Sequence, residues 1–239
     1  YVLRDRELTR DFIERARASR WRRARNSCLN SAAACCTRGR RRSCSRLRVR
    51  KAPRRQLATD VRAVLAALKR RGTKRNREGM ARYGIRAARV FGVPIANMRT
   101  LARRHAGNHE LALALWESGW QEARILAALI DDPAHVTSAQ MDRWCRDFEN
   151  WAVCDTVCIR LFRRTPHAWR KVAAWGDSRR EFTRRAAFAL LASLVVYDKR
   201  APDAPFAGGL RLVERASTDE RHFVRKAVNW ALRTIGARN

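Results

Sequence analysis

Two segments of this chain align without a gap at an offset of 41 residues, FTRRAAFALLASL from Phe182 and FVRKAVNWALRTI from Phe223. The alignment pairs Phe182 with Phe223, Arg184 with Arg225, Arg185 with Lys226, Ala186 with Ala227, Leu191 with Leu232 and Leu194 with Ile235. In both, apolar residues recur at three- and four-residue steps, the spacing of one face of an α-helix. A helix repeated at a fixed period cannot bury its apolar face alone, so it has to stack on its copy. WQEARILAALI from Trp120 reads as an older copy of the same unit.

From Leu57 onward the remaining sequence agrees with that unit. It shows helical periodicity and almost no β-branched alternation, so the class is all-α. Breaks fall near Gly72, Gly92, Gly107, Gly119, Pro133, Pro166, Gly176 and the stretch from Pro202 to Gly209. Pro94 sits where a first helical turn begins and Gly107 where it ends. Thr137 with Gln140, and Ser178 with Glu181, have the spacing of capping boxes. About eight to ten helices of ordinary length are expected. A period of about 40 to 47 residues with a basic, Ala-rich second helix is the signature of HEAT-type helical pairs. The expected fold is therefore a HEAT-like helical-repeat solenoid, an α-α superhelix with a concave basic groove.

The 239 residues carry 53 Lys and Arg against 22 acidic residues, a formal charge of +31. Such an excess points to nucleic acid or an anionic membrane. No apolar run approaches the roughly 18 to 20 residues that span a bilayer, and no signal pattern opens the chain. A cytoplasmic, nucleoid-associated location is expected. Residues 1–55 hold 19 Lys and Arg and 4 acids, about half of the net charge. With Cys28, Cys35, Cys36 and Cys44 in a Ser/Arg/Ala setting, this stretch reads as a disordered basic arm. A chain starting at Tyr1 and running through CCTRGRRRSCSRLRVR also fits a wrongly extended reading frame. Residues 56–239 are expected to hold the folded domain. The arm's cysteine spacings of seven, one and eight lack a paired zinc knuckle, so no metal is expected. Cys145, Cys154 and Cys158 read as buried free thiols.

The segment ENWAVCDTVC, from Glu149 to Cys158, sets Trp151 and Asp155 four residues apart on one helical face. An aromatic plane beside a carboxylate is suited to handling positive charge. Asp155 has apolar neighbours on both sides, so it lies either near a helix boundary in water or partly buried against a basic partner. The repeated helices add Arg184 and Arg185 in one copy and Arg225, Lys226 and Trp230 in the other. On neighbouring helices, Trp151, Asp155, Arg185 and Trp230 would converge as two aromatic walls, a carboxylate and a guanidinium. Taken singly each has a plainer use, Trp as core and Arg as solvated surface.

These residues resemble the AlkD-like DNA alkylation repair glycosylases, HEAT-repeat proteins without metal or cofactor. The resemblance covers roughly residues 56–239. It rests on WESGWQEARILAALIDDP at residues 116–133, NWAVCDTVC, FTRRAAFALL, and KAVNWALR at residues 226–233. It implies Trp151 and Trp230 as aromatic walls, Asp155 as the catalytic carboxylate, and Arg185 as a basic residue holding a phosphate beside the lesion. Arg184 takes that place if the alignment shifts by one. Tyr83, ahead of FGV, is similar to a tyrosine lining the family's cleft, and Arg184, Arg225 and Lys226 would grip the DNA backbone.

The implied activity is that of a monomer excising cationic alkylpurines, 3-methyladenine and 7-methylguanine, from double-stranded DNA in base excision repair. A purine alkylated at N3 or N7 is already a cation and a ready leaving group. The remaining work is to stabilise the oxocarbenium character of the sugar, which a carboxylate does. Two other readings fit the composition: a non-catalytic HEAT-like protein for damaged or branched DNA, and a protein-interaction scaffold. Deleting residues 1–50 is expected to leave the helicity and melting temperature of the remainder unchanged by circular dichroism. Loss of folding would make the arm part of the domain.

Overall fold

The computed structural model describes residues 54–238, so the basic arm at residues 1–55, with its four cysteines, lies outside the described residues apart from Arg54 and Arg55. Eleven α-helices occur among the described residues: α1 (Arg54–Arg71), α2 (Lys74–Arg82), α3 (Ile95–Ala102), α4 (His109–Glu117), α5 (Gln121–Ile130), α6 (Ser138–Arg146), α7 (Trp151–Arg160), α8 (Ala168–Trp175), α9 (Glu181–Tyr197), α10 (Ala204–Arg215) and α11 (His222–Gly236). One 3-10 turn, Phe162–Arg164, follows α7. No described residue is in a strand, as an all-α chain requires.

The helices sort into two layers. In one, α3, α5, α7, α9 and α11 pack side by side in chain order. In the other, α4, α8 and α10 back onto α5, α9 and α11, with α1 against α4. The repeated segments are α9 and α11, and residues matched at an offset of 41 touch. The rings of Phe182 and Phe223 lie 5.4 Å apart, and the Phe223 N–H donates to the Glu181 carboxylate at 3.2 Å. The segment from Trp120 is α5 with its preceding residue, a member of the same layer. Starts at residues 121, 151, 181 and 222 give successive offsets of 30, 30 and 41.

Neighbours in this layer run parallel and in step. The thiols of Cys154 and Cys158, one turn apart on α7, donate to the carbonyls of Phe182 and Ala186, one turn apart on α9, at 3.7 and 3.6 Å. Cys145, Cys154 and Cys158 are buried free thiols, as their helical setting implied. Burial pushes all three upward from the usual thiol range, so they stay protonated. Between α4 and α6 the core is aromatic: Trp116 and Trp144 stack at 3.9 Å with an interplanar angle of 2°. For these two tryptophans the plain use, core, is the right one.

Several local expectations change on contact with the fold. Thr137 does cap α6, its Oγ1 accepting from the Gln140 N–H at 3.1 Å. The Gln140 amide does not return to Thr137; its Nε2 donates instead to the buried Asp131 carboxylate at 2.8 Å, which turns the side chain away from the helix start. The Ser178–Glu181 box does not form. The Ser178 hydroxyl accepts from the Arg180 N–H at 3.2 Å, and Glu181 is taken by Phe223 of the next repeat. Pro94 is the N-cap of α3, and that helix ends at Ala102, five residues before Gly107. The expected break from Pro202 to Gly209 is confined to the residues before α10, whose helix runs through Gly208 and Gly209. Gly209 earns its place by close approach: a Cβ there would lie 2.9 Å from Leu191 Cδ1.

The loop from Tyr83 to Pro94 positions the site, and it is held by the starts of α5 and α7. Glu122, 0% exposed, accepts from three successive main-chain N–H groups, Phe91 at 3.0 Å, Gly92 at 2.6 Å and Val93 at 3.2 Å. The Arg89 carbonyl accepts from the Gln121 N–H at 3.0 Å, and the Arg86 carbonyl from the Asn150 amide at 3.1 Å. The Phe91 and Trp120 rings stack at 3.8 Å. Gly92 has φ +80°, and a Cβ there would come within 2.5 Å of the Thr73 carbonyl oxygen, so only glycine fits. In Glu122→Gln an amide NH₂ replaces one acceptor and faces donors. Stability is expected to fall by about 1–3 kcal/mol, read as a lower urea midpoint at unchanged m-value.

Candidate active site

Asn150 starts the helix that carries the site. Its Oδ1 accepts from the N–H groups of Ala152 at 3.1 Å and Val153 at 3.2 Å, closing the first turn of α7. Its Nδ2 donates to Gln121 Oε1 at 2.9 Å as well as to the loop, so one buried side chain orients α7 against α5. The helix then buries Val153, Cys154, Val157 and Cys158 against its neighbours. Trp151, Asp155 and Ile159 fall on the opposite, half-buried face.

Of the two settings open to Asp155, the structure has the partly buried one. Arg185 on α9 meets it as a two-pronged fork, Nε to Oδ1 at 2.9 Å and Nη2 to Oδ2 at 2.7 Å. The Asp155 side chain is 16% exposed and that of Arg185 7%. A third prong, Nη1, donates to the Phe223 carbonyl at 2.7 Å, so three helices meet at one guanidinium. Burial works to lower the pKa of Arg185, but the charge and hydrogen bonds of Asp155 outweigh it and hold the group above its ordinary value. Arg185 therefore stays charged where it meets Asp155. Arg185, expected to hold a phosphate, is nearly buried and spends three N–H groups on protein acceptors. Its structural work is to aim Asp155.

Trp151 is oriented from the other side, its indole N–H donating to the Tyr83 carbonyl at 3.0 Å. Tyr83 closes α2, with its side chain toward solvent at 47% exposure. The next residue, Gly84, has φ +69°, and a Cβ there would lie 3.7 Å from Phe223 Cζ. The loop thus reaches from Trp151 to Phe223, and Tyr83, Trp151, Asp155, Arg185 and Phe223 are linked neighbours. Phe223 could have been found as the repeat partner of Phe182, but only the stacking of α9 on α11 shows its carbonyl at Arg185.

Trp230 is not among those linked neighbours. It is half-buried on α11, seven residues or roughly 10 Å beyond Phe223 on nearly the same face. Arg225 and Lys226 are exposed on that helix. Arg184 does not face outward as expected. Its Nε donates to the Gly176 carbonyl at 2.8 Å and its Nη1 to Asp219 at 2.7 Å, where Arg221 also binds at 2.6 Å. Adjacent residues on a helix point about 100° apart, so Arg185 turns to α7 while Arg184 braces the link ahead of α11. Among the described residues no group of three His, Cys, Asp or Glu could hold a metal ion, and no helix is long and apolar enough to cross a membrane.

Comparison with known proteins adds three findings. Residues 64–239 match the family described as DNA alkylation repair enzyme. No curated protein matches the chain. A solved structure described as "a new family of proteins related to the HEAT-like repeat DNA glycosylases with affinity for branched DNA structures" aligns with a TM-score of 0.67. It covers 73% of this chain and 75% of that one at 22% identity, which establishes a HEAT-like helical-repeat fold.

Removing one partner of a buried pair strands the other charge. Arg185→Met is expected to cost about 3 kcal/mol of stability in a urea titration, and adding Asp155→Leu is expected to recover most of it. Equal losses in the single and double variants would show that the pair is not coupled.

Proposed function

The chain belongs to the DNA alkylation repair enzyme family, and on that premise we propose that it is a DNA glycosylase excising cationic alkylpurines, 3-methyladenine and 7-methylguanine among them, from duplex DNA. The observation that carries this reading is the aimed carboxylate: Asp155, beside Trp151 on one face of α7, held by the fork from Arg185. A protein that only gripped phosphates would gain nothing from an ionised carboxylate on its DNA-facing side.

In the proposed reaction the bond between C1′ and the purine breaks with its electron pair leaving on the base, which cancels the charge of the lesion. Positive charge passes to the deoxyribose, where Asp155 stabilises it. A water oxygen then bonds to C1′ and its extra proton is lost to the carboxylate or to solvent. Arg185 fixes the plane of the Asp155 oxygens. A carboxylate has about four lone-pair sites, of which Arg185 takes two. The Trp151 face attracts a cationic base over a neutral one by about 0.5–2 kcal/mol. Trp230, two turns along α11 from Phe223, serves as the second wall. Arg225, Lys226 and Tyr83 contact the backbone, and sequence plays little part in the grip. The chemistry needs no cofactor, and the acting unit is a monomer working in the cytoplasm on the nucleoid.

A second reading, a non-catalytic binder of damaged or branched DNA, is favoured by the same fork. Arg185 offsets much of the negative charge that Asp155 offers to an oxocarbenium ion, and the structurally similar protein is described by its affinity for branched DNA. Incubation with methylated duplex DNA separates the two. The native protein is expected to release free 3-methyladenine and 7-methylguanine, and Asp155→Asn to release them on the order of 100-fold more slowly or worse while binding DNA equally or more tightly. Full activity in Asp155→Asn would remove the carboxylate from the mechanism, and tight binding without release by the native protein would favour the binder.

A further inference from the structure

The layer formed by α4, α8 and α10 holds a groove that the candidate site does not use. It lies between α8 and α10 and is bounded by two contacts. At one end the Trp169 and Phe206 rings meet edge to face, their centroids 5.1 Å apart. At the other, Gly176 at the end of α8 backs so closely on α10 that a Cβ there would lie 2.7 Å from Leu212 Cδ2. Between them is a cavity of about 280 Å³, with Trp169, Pro205, Gly208 and Leu212 in its lining and the exposed Arg211 and Arg215 at its rim.

Gly208 keeps the groove open. A glycine inside a helix is destabilising, and α10 carries two in succession. Gly209 is explained by Leu191, but a Cβ on Gly208 would meet only Arg211 Nη2, at an ordinary 3.9 Å. Packing therefore leaves room for a side chain at 208, and that side chain would occupy the groove. The volume is just below the roughly 300 to 1,000 Å³ of small-molecule sites. It suits one aromatic or large aliphatic side chain better than a cofactor.

The charge at the rim is positive. Arg211 pairs with no carboxylate among the described residues, and Arg215 meets Asp177 at 3.2 Å in an ion pair whose side chains are 55% and 63% exposed. So exposed a pair is held weakly and exchanges readily for an incoming carboxylate. Duplex DNA would neutralise both guanidinium groups but leave Trp169, Pro205 and Leu212 without a partner. The basic arm at residues 1–55, with 19 Lys and Arg against 4 acids, is repelled by them.

We propose that the α8–α10 groove is a docking site for an acidic segment of a partner protein, with one large apolar side chain seated on Gly208 and flanking carboxylates on Arg211 and Arg215. The apolar anchor supplies affinity, and the charges at the edge select an acidic partner. Because α8 and α10 back onto α9 and α11, a segment docked there leaves the Trp151–Asp155 face open. Docking of this kind is independent of any chemistry at that face.

The probes are two fluorescein-labelled peptides, Glu-Asp-Asp-Phe-Asp-Glu and the same peptide with Ser in place of Phe. Each is titrated with the full chain in about 150 mM salt, where long-range charge is screened. The native protein is expected to bind the Phe peptide about tenfold more tightly by fluorescence anisotropy. Gly208→Leu changes no charge and adds a better helix former. Its melting temperature is expected to hold or rise while the preference for Phe disappears. Arg211→Gln is expected to weaken both peptides about threefold and keep the preference. Equal binding of the two peptides by the native protein overturns the site, because the attraction is then net charge alone. A preference for Phe that survives in Gly208→Leu overturns it too, by placing the anchor elsewhere. Affinity for an undamaged duplex is expected to be unchanged in Gly208→Leu, and a fall equal to the loss of peptide binding would assign the groove to DNA instead.

Discussion

Parallel stacking puts the starts of α5, α7, α9 and α11 along one edge, and every helix start exposes main-chain N–H groups that have no partner within the helix. Satisfying that edge is the constraint from which the rest follows. Asn150 closes α7 internally, Glu181 takes the N–H of Phe223 from the next helix, and Glu122 takes three N–H groups of the loop. The polar side chains at the starts of the helices thus bind the repeats to one another and the loop to the repeats. Trp151 and Asp155 sit within the first two turns of α7, where position is set by these bonds as well as by apolar packing. The fork from Arg185 to Asp155 and Phe223 extends the same pattern one turn inward.

The formal charge overstates how many cations this surface presents. Arg184 and Arg221 converge on Asp219, whose carboxyl is held below its usual range, by Arg221 first and by Arg184 in part. Arg238 lies over Phe206 at 4.2 Å and donates to the carbonyls of Asp198 and Ala201, which fastens the end of α11 to the link before α10. These arginines act as cross-braces between repeats. Guanidinium suits that task because its fork reaches several acceptors at once and remains charged when partly buried. The cations with free reach are fewer, Arg225 and Lys226 on α11 among them.

Much of the architecture was legible because a repeat is a statement about contacts. Phe182 and Phe223 matched in sequence and touch in space, and the segment from Trp120 proved to be in the same layer. The shared face of Trp151 and Asp155 was equally legible, since helical spacing alone decides it. What stayed hidden depended on the partner helix. Arg184 and Arg185 are adjacent and chemically identical, and only the position of α7 determines which one meets Asp155. Ser178 and Glu181 had the right spacing for a box, but a neighbouring main-chain donor claimed the glutamate. Gly209 read as part of a break because composition does not reveal that Leu191 occupies the space a side chain would need. Nothing in the spacing around Glu122 signals its burial, which rests on a loop about thirty residues earlier in the chain.

The unequal spacing of the stacked helices has a consequence for how such a protein can change. Offsets of 30, 30 and 41 residues leave the starts of α7, α9 and α11 in step, while α9 has 17 residues where α7 has 10. The extra length is absorbed at the far end of α9 and in the link to α10. Insertions and deletions at that end alter reach and outline without shifting Asp155 relative to Arg185. The repeat therefore divides the molecule into a margin whose register fixes the site and a margin whose length can change without moving it.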